Sequence, residues 1–478
     1  MTSNSDTFAK TKILATLGPA SSDLETIAQL IRKGIDGVRL NLSHSDHAFY
    51  EKLFDKINNA CIQEKSPLSI LADLQGPKIR IGDLEKPEIE ITDGNIIEIT
   101  TDEIIGNSRI ISASYKKLAQ DASIGDAILI NDGLIRLKIV DKKENSVICV
   151  IENGGILSPR KGINLPGMKL TTPSITEKDF SDLEFLTKHR VDYIALSFVR
   201  SADDIRQLKS WLNAKNKDIP VIAKIEKKEA IDSLEEILKI SDGIMIARGD
   251  LGVEFPPQDV PVLQKKIIKR CNEVGKLVIT ATQMLESMIN SPIPTRAEAS
   301  DIANAVWDGT DVVMLSGETS IGNYPLKSVR IMNDVVLKAE SILHDRHSII
   351  FPQPESYEEN LFDSVGRAIV DISRQISAKA IVVLTNKGRT ARNVAKFRPS
   401  CKIIAISNSF YTMNKLGLVW GVTSLYIEHI DKENISIDTA KKIILEAKLV
   451  NEGDMIIFTA GAPYSEKSRL NWFRFEAM

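Results

Sequence analysis

The chain of 478 residues has no uninterrupted apolar run approaching the roughly 18 residues that a membrane-spanning helix needs. Its start, Met1 to Lys10, is polar and has no apolar core of the signal-peptide kind, so a cytoplasmic protein away from membranes is expected. Cysteine is scarce. Cys61, Cys149, Cys271 and Cys401 are scattered, with no pair at metal-ligand spacing, as expected of reduced thiols. Neither charge sign dominates: 61 Lys plus Arg face 64 Asp plus Glu, a net charge of −3, which argues against a chain built to coat nucleic acid. Internal repeats and low-complexity segments are not apparent either. The length is enough for about three domains with sizeable cores, and small molecules are the expected partners.

What is present is alternation. From Ile13 onward, short runs of small and β-branched residues alternate with amphipathic helical stretches. Candidate strands are Ile13 to Leu17, Gly37 to Asn41, Leu68 to Leu74, Tyr193 to Phe198, Val221 to Ile225, Gly243 to Ala247, Leu277 to Thr280 and Asp311 to Leu315. Eight is the number that a closed (β/α) barrel requires. Expected helices include Ser22 to Arg32, Ala48 to Gln63, Ser201 to Asn213, Ala230 to Ile240, Gln258 to Glu273, Arg296 to Trp307 and Pro325 to Leu343.

Polar residues gather where these strands end: Asn41 and Ser43, Asp73, Ser197, Thr280 and Thr282, Ser316 and Glu318. Ser316 is read as a helix cap. The stretch Val221 to Glu254 is the most informative, because one run delivers Lys224-Ile225-Glu226 and the next delivers Arg248-Gly249-Asp250-Leu251-Gly252-Val253-Glu254. Ligands bind at the C-terminal edge of parallel α/β sheets, so an ammonium and two carboxylates there suit a divalent metal with an anionic substrate. Gly249 and Gly252 would let backbone amides approach an anion closely.

One interval, roughly Lys78 to Thr172, breaks the alternation. It shows strand-like runs at Glu88 to Thr100, Ala127 to Val140 and Ser146 to Asn153, with turns at Asp93-Gly94, Asn131-Asp132-Gly133 and Gly154-Gly155. A small β domain inserted after the third barrel strand would enter and leave at the active rim and could close as a lid. Beyond Leu343 a proline-marked stretch, Pro352-Gln353-Pro354, precedes a second α/β region. Its candidate strands are Ala380 to Leu384, Lys402 to Ile406 and Met455 to Thr459, with helices at Leu361 to Gln375, Arg389 to Phe397 and Ser436 to Ala447. Between its first strand and helix lies Thr385-Asn386-Lys387-Gly388-Arg389-Thr390, a composition suited to phosphate. The expected division is 1–77 with 173–344 as the barrel, 78–172 as the inserted β lid and 345–478 as the C-terminal α/β domain.

With the strand ends assembled, the chain closely resembles the pyruvate kinase family over nearly its full length. The residues that carry this are Thr16-Leu17-Gly18-Pro19-Ala20-Ser21, Val38-Arg39-Leu40-Asn41-Leu42-Ser43-His44, Lys224-Ile225-Glu226 and the Ala247 to Glu254 block. Further along come Ala281-Thr282-Gln283-Met284-Leu285-Glu286-Ser287-Met288, Pro294-Thr295-Arg296-Ala297-Glu298 and Leu315-Ser316-Gly317-Glu318-Thr319. The resemblance implies a (β/α)8 barrel with an inserted mobile β domain, a C-terminal α/β effector domain and a homotetramer. It implies Mg²⁺-dependent transfer of the phosphoryl group of phosphoenolpyruvate to ADP, giving pyruvate and ATP.

By that resemblance Glu226 and Asp250 hold Mg²⁺ or Mn²⁺, while Lys224 and Arg39 meet the phosphoryl group. The Gly249 and Asp250 amides with Thr282 receive the substrate carboxylate, and Thr282 helps deliver a proton through water. Asn41, Ser43, His44, Arg80 and Lys178 correspond to nucleotide-side positions. The sequence departs from the commonest family pattern at Asp73-Leu74-Gln75-Gly76-Pro77-Lys78-Ile79-Arg80. Many members carry Thr, Lys and Glu where this chain has Leu74, Gln75 and Lys78, and use K⁺ there. Asn41, Ser43, Asp73 and the Leu74 carbonyl still offer oxygens, yet Lys78 brings its own ammonium. K⁺-independent activity, as in the family's potassium-independent subgroup, is therefore expected. The Thr385 to Thr390 loop resembles the family's effector phosphate loop, whereas the tail Tyr464 to Phe475 departs from its usual wording; activation by a sugar phosphate or AMP is expected. A metal-dependent lyase or aldolase on a phosphoenolpyruvate-binding barrel, and a catalytically silent metabolite sensor, are the rival readings, because barrels host many reactions.

Overall fold

The computed structural model describes residues 9–342, 357–428, 437–461 and 470–478. Eight parallel strands close into a barrel: β1 (Lys12–Thr16), β2 (Gly37–Asn41), β3 (Ser69–Asp73), β4 (Tyr193–Leu196), β5 (Val221–Ile225), β6 (Gly243–Ala247), β7 (Leu277–Ala281) and β8 (Val312–Leu315). Each pairs with its sequence neighbours, and β1 pairs with β8 to complete the ring. These runs are almost wholly buried because helices cover the outside and side chains fill the inside. Successive side chains point to opposite faces. Leu14, Leu71, Tyr193, Ala195, Ile222, Met245, Ile279, Ala281, Val312 and Met314 accordingly fill the lumen, while their neighbours pack against helices.

Between β3 and β4 the chain leaves the barrel and forms a six-stranded sheet with its own core. The Asn131-Asp132-Gly133 turn has all three residues at positive φ (56°, 54° and 88°), so Ala127–Ile130 and Ile135–Lys142 form a hairpin rather than one continuous strand. A second sheet has the order β11 (Val422–Tyr426), β10 (Lys402–Ser407), β9 (Ala380–Leu384), β12 (Met455–Ala460) and β13 (Trp472–Ala477), and only β13 is antiparallel. The C-terminal region docks on the barrel floor. Leu418 sits fully buried in the lumen cluster, and the Asn414 and Lys415 carbonyls accept hydrogen bonds from Ser69 and Tyr193.

Several expectations are corrected. The stretch Ala230 to Ile240 is two helices, Lys228–Asp232 and Leu234–Ile240, broken at Ser233. Arg248–Glu254 is a helix despite its two glycines, and β11, β13 and the helix Glu177–Leu186 were not foreseen. Thr280 does not reach the rim: it lies on the outer face of β7 and donates to Thr310 Oγ1 at 2.9 Å, fully buried. Ser316 occupies a helix N-cap position but makes no capping hydrogen bond, and its hydroxyl is buried without a partner among the described residues. Leu343, Pro352-Gln353-Pro354, Ser436, the boundary at 344/345 and the part of the tail from Tyr464 to Ser468 and Arg469 lie outside the described residues. No helix among the described residues is long and apolar enough to cross a membrane, and all four cysteines are free.

Candidate active site

The alternation that fills the lumen with apolar residues also selects the site residues. Continuing the inward positions toward the strand C-termini leads from Leu14 to Thr16, from Leu71 to Asp73, from Ala195 to Ser197 and from Ile222 to Lys224 and then Glu226. Charge therefore lands on one layer at the barrel mouth.

Lys224 is its centre. Its Nζ lies 3.0 Å from Glu226 Oε1 and 3.2 Å from Asp73 Oδ1, and donates to Ser197 Oγ at 2.7 Å. Burial works against its charge, but Asp73 and then Glu226 more than offset that, raising its pKa and keeping it an ammonium. Asp73 is almost fully buried; burial would raise its pKa, yet Lys224 and Arg39 outweigh this and hold it below the ordinary carboxylate value. Arg39 Nε donates to Asp73 Oδ2 at 2.7 Å, and its Nη1 donates to Thr16 Oγ1 at 3.2 Å. The guanidinium is thus oriented before any ligand arrives. Thr16, anchored to the Leu315 carbonyl, is a supporting residue that the sequence alone did not single out.

Glu226 is fully buried. One oxygen accepts from the Phe198 amide at 2.6 Å, and the other faces Lys224 without a hydrogen-bonding angle. Burial pushes its carboxyl up, Lys224 opposes that, and Asp250 adds to it. Asp250 rides on the helix Arg248–Glu254 and makes no hydrogen bond or ion pair among the described residues. Two neighbouring carboxylates, one with an oxygen lacking a hydrogen bond and the other wholly without a partner, fit a hard divalent cation. Mg²⁺ needs only one or two protein carboxylates, with substrate oxygens and water completing its shell. No group of three or more acidic, His or Cys ligands exists among the described residues, so the protein alone does not enclose a metal.

Thr282 follows β7 with φ at 67°, next to Gln283 at 54°, and Phe198 beyond β4 has φ at 54°. Left-handed backbone at non-glycine residues is uncommon and must be held by its surroundings. Arg248 does the holding at Thr282. Its Nη2 donates to the Thr282 carbonyl at 2.6 Å, while its Nη1 meets both oxygens of Asp301 at 2.8 and 2.6 Å. The Thr282 hydroxyl then accepts from the Gly249 amide at 2.8 Å. A Cβ added to Gly249 would stand 3.6 Å from that hydroxyl. The role of Arg248 depends on Asp301, a residue 53 positions away that no local motif marks.

A cleft of about 190 Å³ runs between the barrel mouth and the inserted sheet. Lys78, Arg80, Arg160, Lys161, Arg200 and Lys227 line it against only Asp132 and Asp250, a field suited to a polyphosphate. Arg200 ties the segment that returns from the insertion to the barrel through the Leu170 and Thr172 carbonyls. Of the nucleotide-side residues, Arg80 lines the cleft and donates to the Arg160 carbonyl, and Lys178 binds the Leu42 carbonyl and Asp182 beside the Asn41 to His44 turn. In that turn the Ser43 amide donates to Asn41 Oδ1. His44 is exposed; partial burial, then Lys78, Arg80 and Arg39, lower its pKa. Lys78 is exposed on the cleft wall and has no ion pair among the described residues. It does not reach Asp73, whose charge Arg39 and Lys224 already match, and the Leu74 carbonyl accepts from Ser197.

The loop Thr385 to Thr390 stands apart, at the C-terminal end of β9. Thr385 Oγ1 accepts from the Gly388 amide at 3.0 Å, Thr412 donates to the Asn386 carbonyl, and Lys387 and Arg389 are exposed while Thr390 is buried.

The family model described as pyruvate kinase, barrel domain, matches residues 8–329, and that described as pyruvate kinase, alpha/beta domain, matches residues 363–474. The chain belongs to the pyruvate kinase family. It is 41% identical over 465 residues to the pyruvate kinase of Geobacillus stearothermophilus, covering 97% of this chain and 79% of that relative. The pyruvate kinase of Sporosarcina psychrophila is 40% identical over 476 residues, covering 98% and 80%. Among solved structures, a pyruvate kinase from Cryptosporidium parvum superposes with a TM-score of 0.92 at 37% identity, covering 100% of this chain and 98% of that one. The family's fold, a barrel with an inserted β domain and a C-terminal α/β domain, is the fold described above.

Proposed function

We propose that this chain is a pyruvate kinase, a phosphotransferase that moves the phosphoryl group of phosphoenolpyruvate to ADP, yielding pyruvate and ATP. The observation that carries the reading is the buried Lys224 ammonium set between Asp73 and Glu226, with Arg39 fixed on the far side of Asp73. Phosphoryl transfer asks chiefly for positioning and for positive charge against the oxygens of the moving group. Arg39 and Lys224 provide both, because neither has to reorganise to do so. Glu226 and Asp250 hold the divalent cation, Mg²⁺ or Mn²⁺. A divalent cation bound there would supply positive charge for a phosphoryl transfer. The Thr282 hydroxyl and the first amides of the helix at Gly249 and Asp250 receive the substrate carboxylate. Thr282, through water, passes a proton to the enolate carbon left when the phosphoryl group departs.

The nucleotide lies along the basic cleft, against Asn41, Ser43, His44, Arg80 and Lys178, and the inserted sheet closes over it to exclude water. Lys78 supplies, on closure, the positive charge that K⁺ gives elsewhere in the family. Lys387, Arg389 and the Thr385, Asn386, Gly388 and Thr390 groups receive the phosphate of an effector, a sugar phosphate or AMP. The working protein is a cytoplasmic homotetramer.

The test is pyruvate formation from phosphoenolpyruvate with Mg²⁺ in a K⁺-free tetraalkylammonium buffer, with and without ADP and with added K⁺. ADP-dependent turnover without K⁺ is expected, and Lys78→Glu lowers it. Turnover independent of ADP would refute the reaction. An absolute need for K⁺, or K⁺-free activity unchanged in Lys78→Glu, would refute the role of Lys78 alone.

A further inference from the structure

A second cavity, of about 220 Å³, lies at the end of the barrel opposite the active site, between the strand N-termini and the C-terminal domain. Its barrel wall includes Lys276, at the turn into β7, and Tyr193, which opens β4. Its other wall is the helix Arg389–Lys396, which contributes Arg392, followed by Arg398 and Trp420.

The charges along these walls do not balance. Two acidic groups reach the cavity, and both are taken: Asp311 pairs with Arg398 at 2.5 Å, and Asp242 pairs with Lys209 at 2.7 Å while accepting from the Val221 amide. Lys276 donates only to a neutral oxygen, the Ser241 carbonyl at 2.7 Å. Arg392 faces the Tyr193 hydroxyl and has no carboxylate at ion-pair distance among the described residues. Arg398, 9% exposed at its side chain, keeps its Nη1 buried with no hydrogen-bond partner among the described residues. Two cations without a counter-ion and one unused buried donor thus converge from two domains on one cavity. Lys276 and Arg392 are half-buried and the Arg398 Nη1 donor is fully so; leaving such groups without partners carries a cost, since buried donors and charges are normally paired. Lys276 registers that cost: burial depresses its pKa, and although Asp242 opposes this, Lys209 and Arg392 add to it.

The structure assigns this cavity as a binding site for a small doubly charged oxyanion, either inorganic phosphate or the phosphate group of a small ester, held between Lys276 of the barrel and Arg392 and Arg398 of the C-terminal domain. Tetrahedral phosphate oxygens match both a guanidinium fork and an ammonium. Such a ligand touches both domains at once. Arg392 also lies one turn into the helix that begins at the Thr385 to Thr390 loop, so occupancy fixes the orientation of that helix against the barrel floor.

Two measurements on the full chain test this. Crystals grown free of phosphate and sulfate are soaked in selenate, and an anomalous peak is expected between Lys276 and Arg392. Peaks confined to the active site or to the Thr385 to Thr390 loop overturn the assignment. In solution, the rise in unfolding temperature with inorganic phosphate, and separately with glycerol 3-phosphate, is followed in the parent chain and in Arg392→Ala, Arg392→Lys and the Lys387→Ala/Arg389→Ala double variant. A component that survives in the double variant, weakens at least tenfold in Arg392→Ala and returns partly in Arg392→Lys supports the site; the tighter of the two probes then names its source. Equal affinity in a folded Arg392→Ala refutes it, and if that variant does not fold, the selenate map on the unaltered chain decides.

Discussion

Replacing Asp301 by Asn keeps its shape and removes one charge, 53 residues along the chain from the guanidinium it neutralises. Arg248 is 9% exposed at its side chain and Asp301 37% exposed, so the pair is partly screened on one side only. Breaking a fully buried pair costs about 3–5 kcal/mol; exposure on the carboxylate side reduces that to roughly 1–3 kcal/mol. The catalytic consequence is larger than stability alone implies. Arg248 holds the Thr282 carbonyl at 2.6 Å, and Thr282 stands at a positive φ that relaxes once released. Misplacement of a reacting group by about 1 Å costs on the order of 10²-fold in rate. Asp301→Asn is therefore expected to lower kcat by roughly 10- to 100-fold, on the same estimate, with KM for ADP unchanged because the basic cleft is intact. Steady-state pyruvate formation gives kcat and KM, and urea unfolding gives stability. A variant that loses stability but keeps the parent kcat would show that Arg248 supports the fold and nothing at Thr282.

Lys224→Gln removes the ammonium shared by Asp73 and Glu226 and should lower kcat by roughly 10²–10³-fold, the usual effect of losing one preorganised electrostatic group; a loss of less than about tenfold in the same assay would reduce Lys224 to a structural counter-ion. Asp192 is fully buried with one oxygen unpaired among the described residues, and burial, only partly opposed by Arg190, pushes its pKa up from 3.8 to about 6. Because the folded value is the higher one, the stability tied to its neutral form is complete below pH 3.8 and is lost as pH rises through about 6. Asp192→Asn should thus gain on the parent by up to about 3 kcal/mol at pH 7 and by nothing near pH 3.8, read from urea midpoints at both; a gain that is the same at both pH values would contradict the burial argument. Leu418→Ala opens a hole in the barrel lumen where this C-terminal residue is fully buried, and a loss of about 2–5 kcal/mol is expected. If unfolding shows no change, the contact does not join the two domains energetically.

What the sequence settled by itself is what local pattern can carry. Runs such as Gly243–Ala247, apolar at every position, and Val221–Ile225, apolar but for Lys224 near its end, are what a sheet covered on both faces requires, and their number gave the barrel. Charge at the strand end drew attention to Lys224-Ile225-Glu226 in the sequence, and the period of two in the folded strand accounts for Lys224 and Glu226 lying together with Ile225 turned away. Tertiary structure decided the rest, because long-range contact leaves no periodic trace. Propensity disfavours a helix with two glycines, yet Arg248–Glu254 is held as one by the groups around Arg248. Thr280 and Thr282 look equivalent in sequence, and only the strand's facing and the turn after Ala281 separate a core threonine from one whose hydroxyl accepts the Gly249 amide. The exposed edge strand Trp472–Ala477 has no buried face to write a pattern. Leu418 entering the barrel, and the unbalanced cations beneath it, exist only once two separate domains meet.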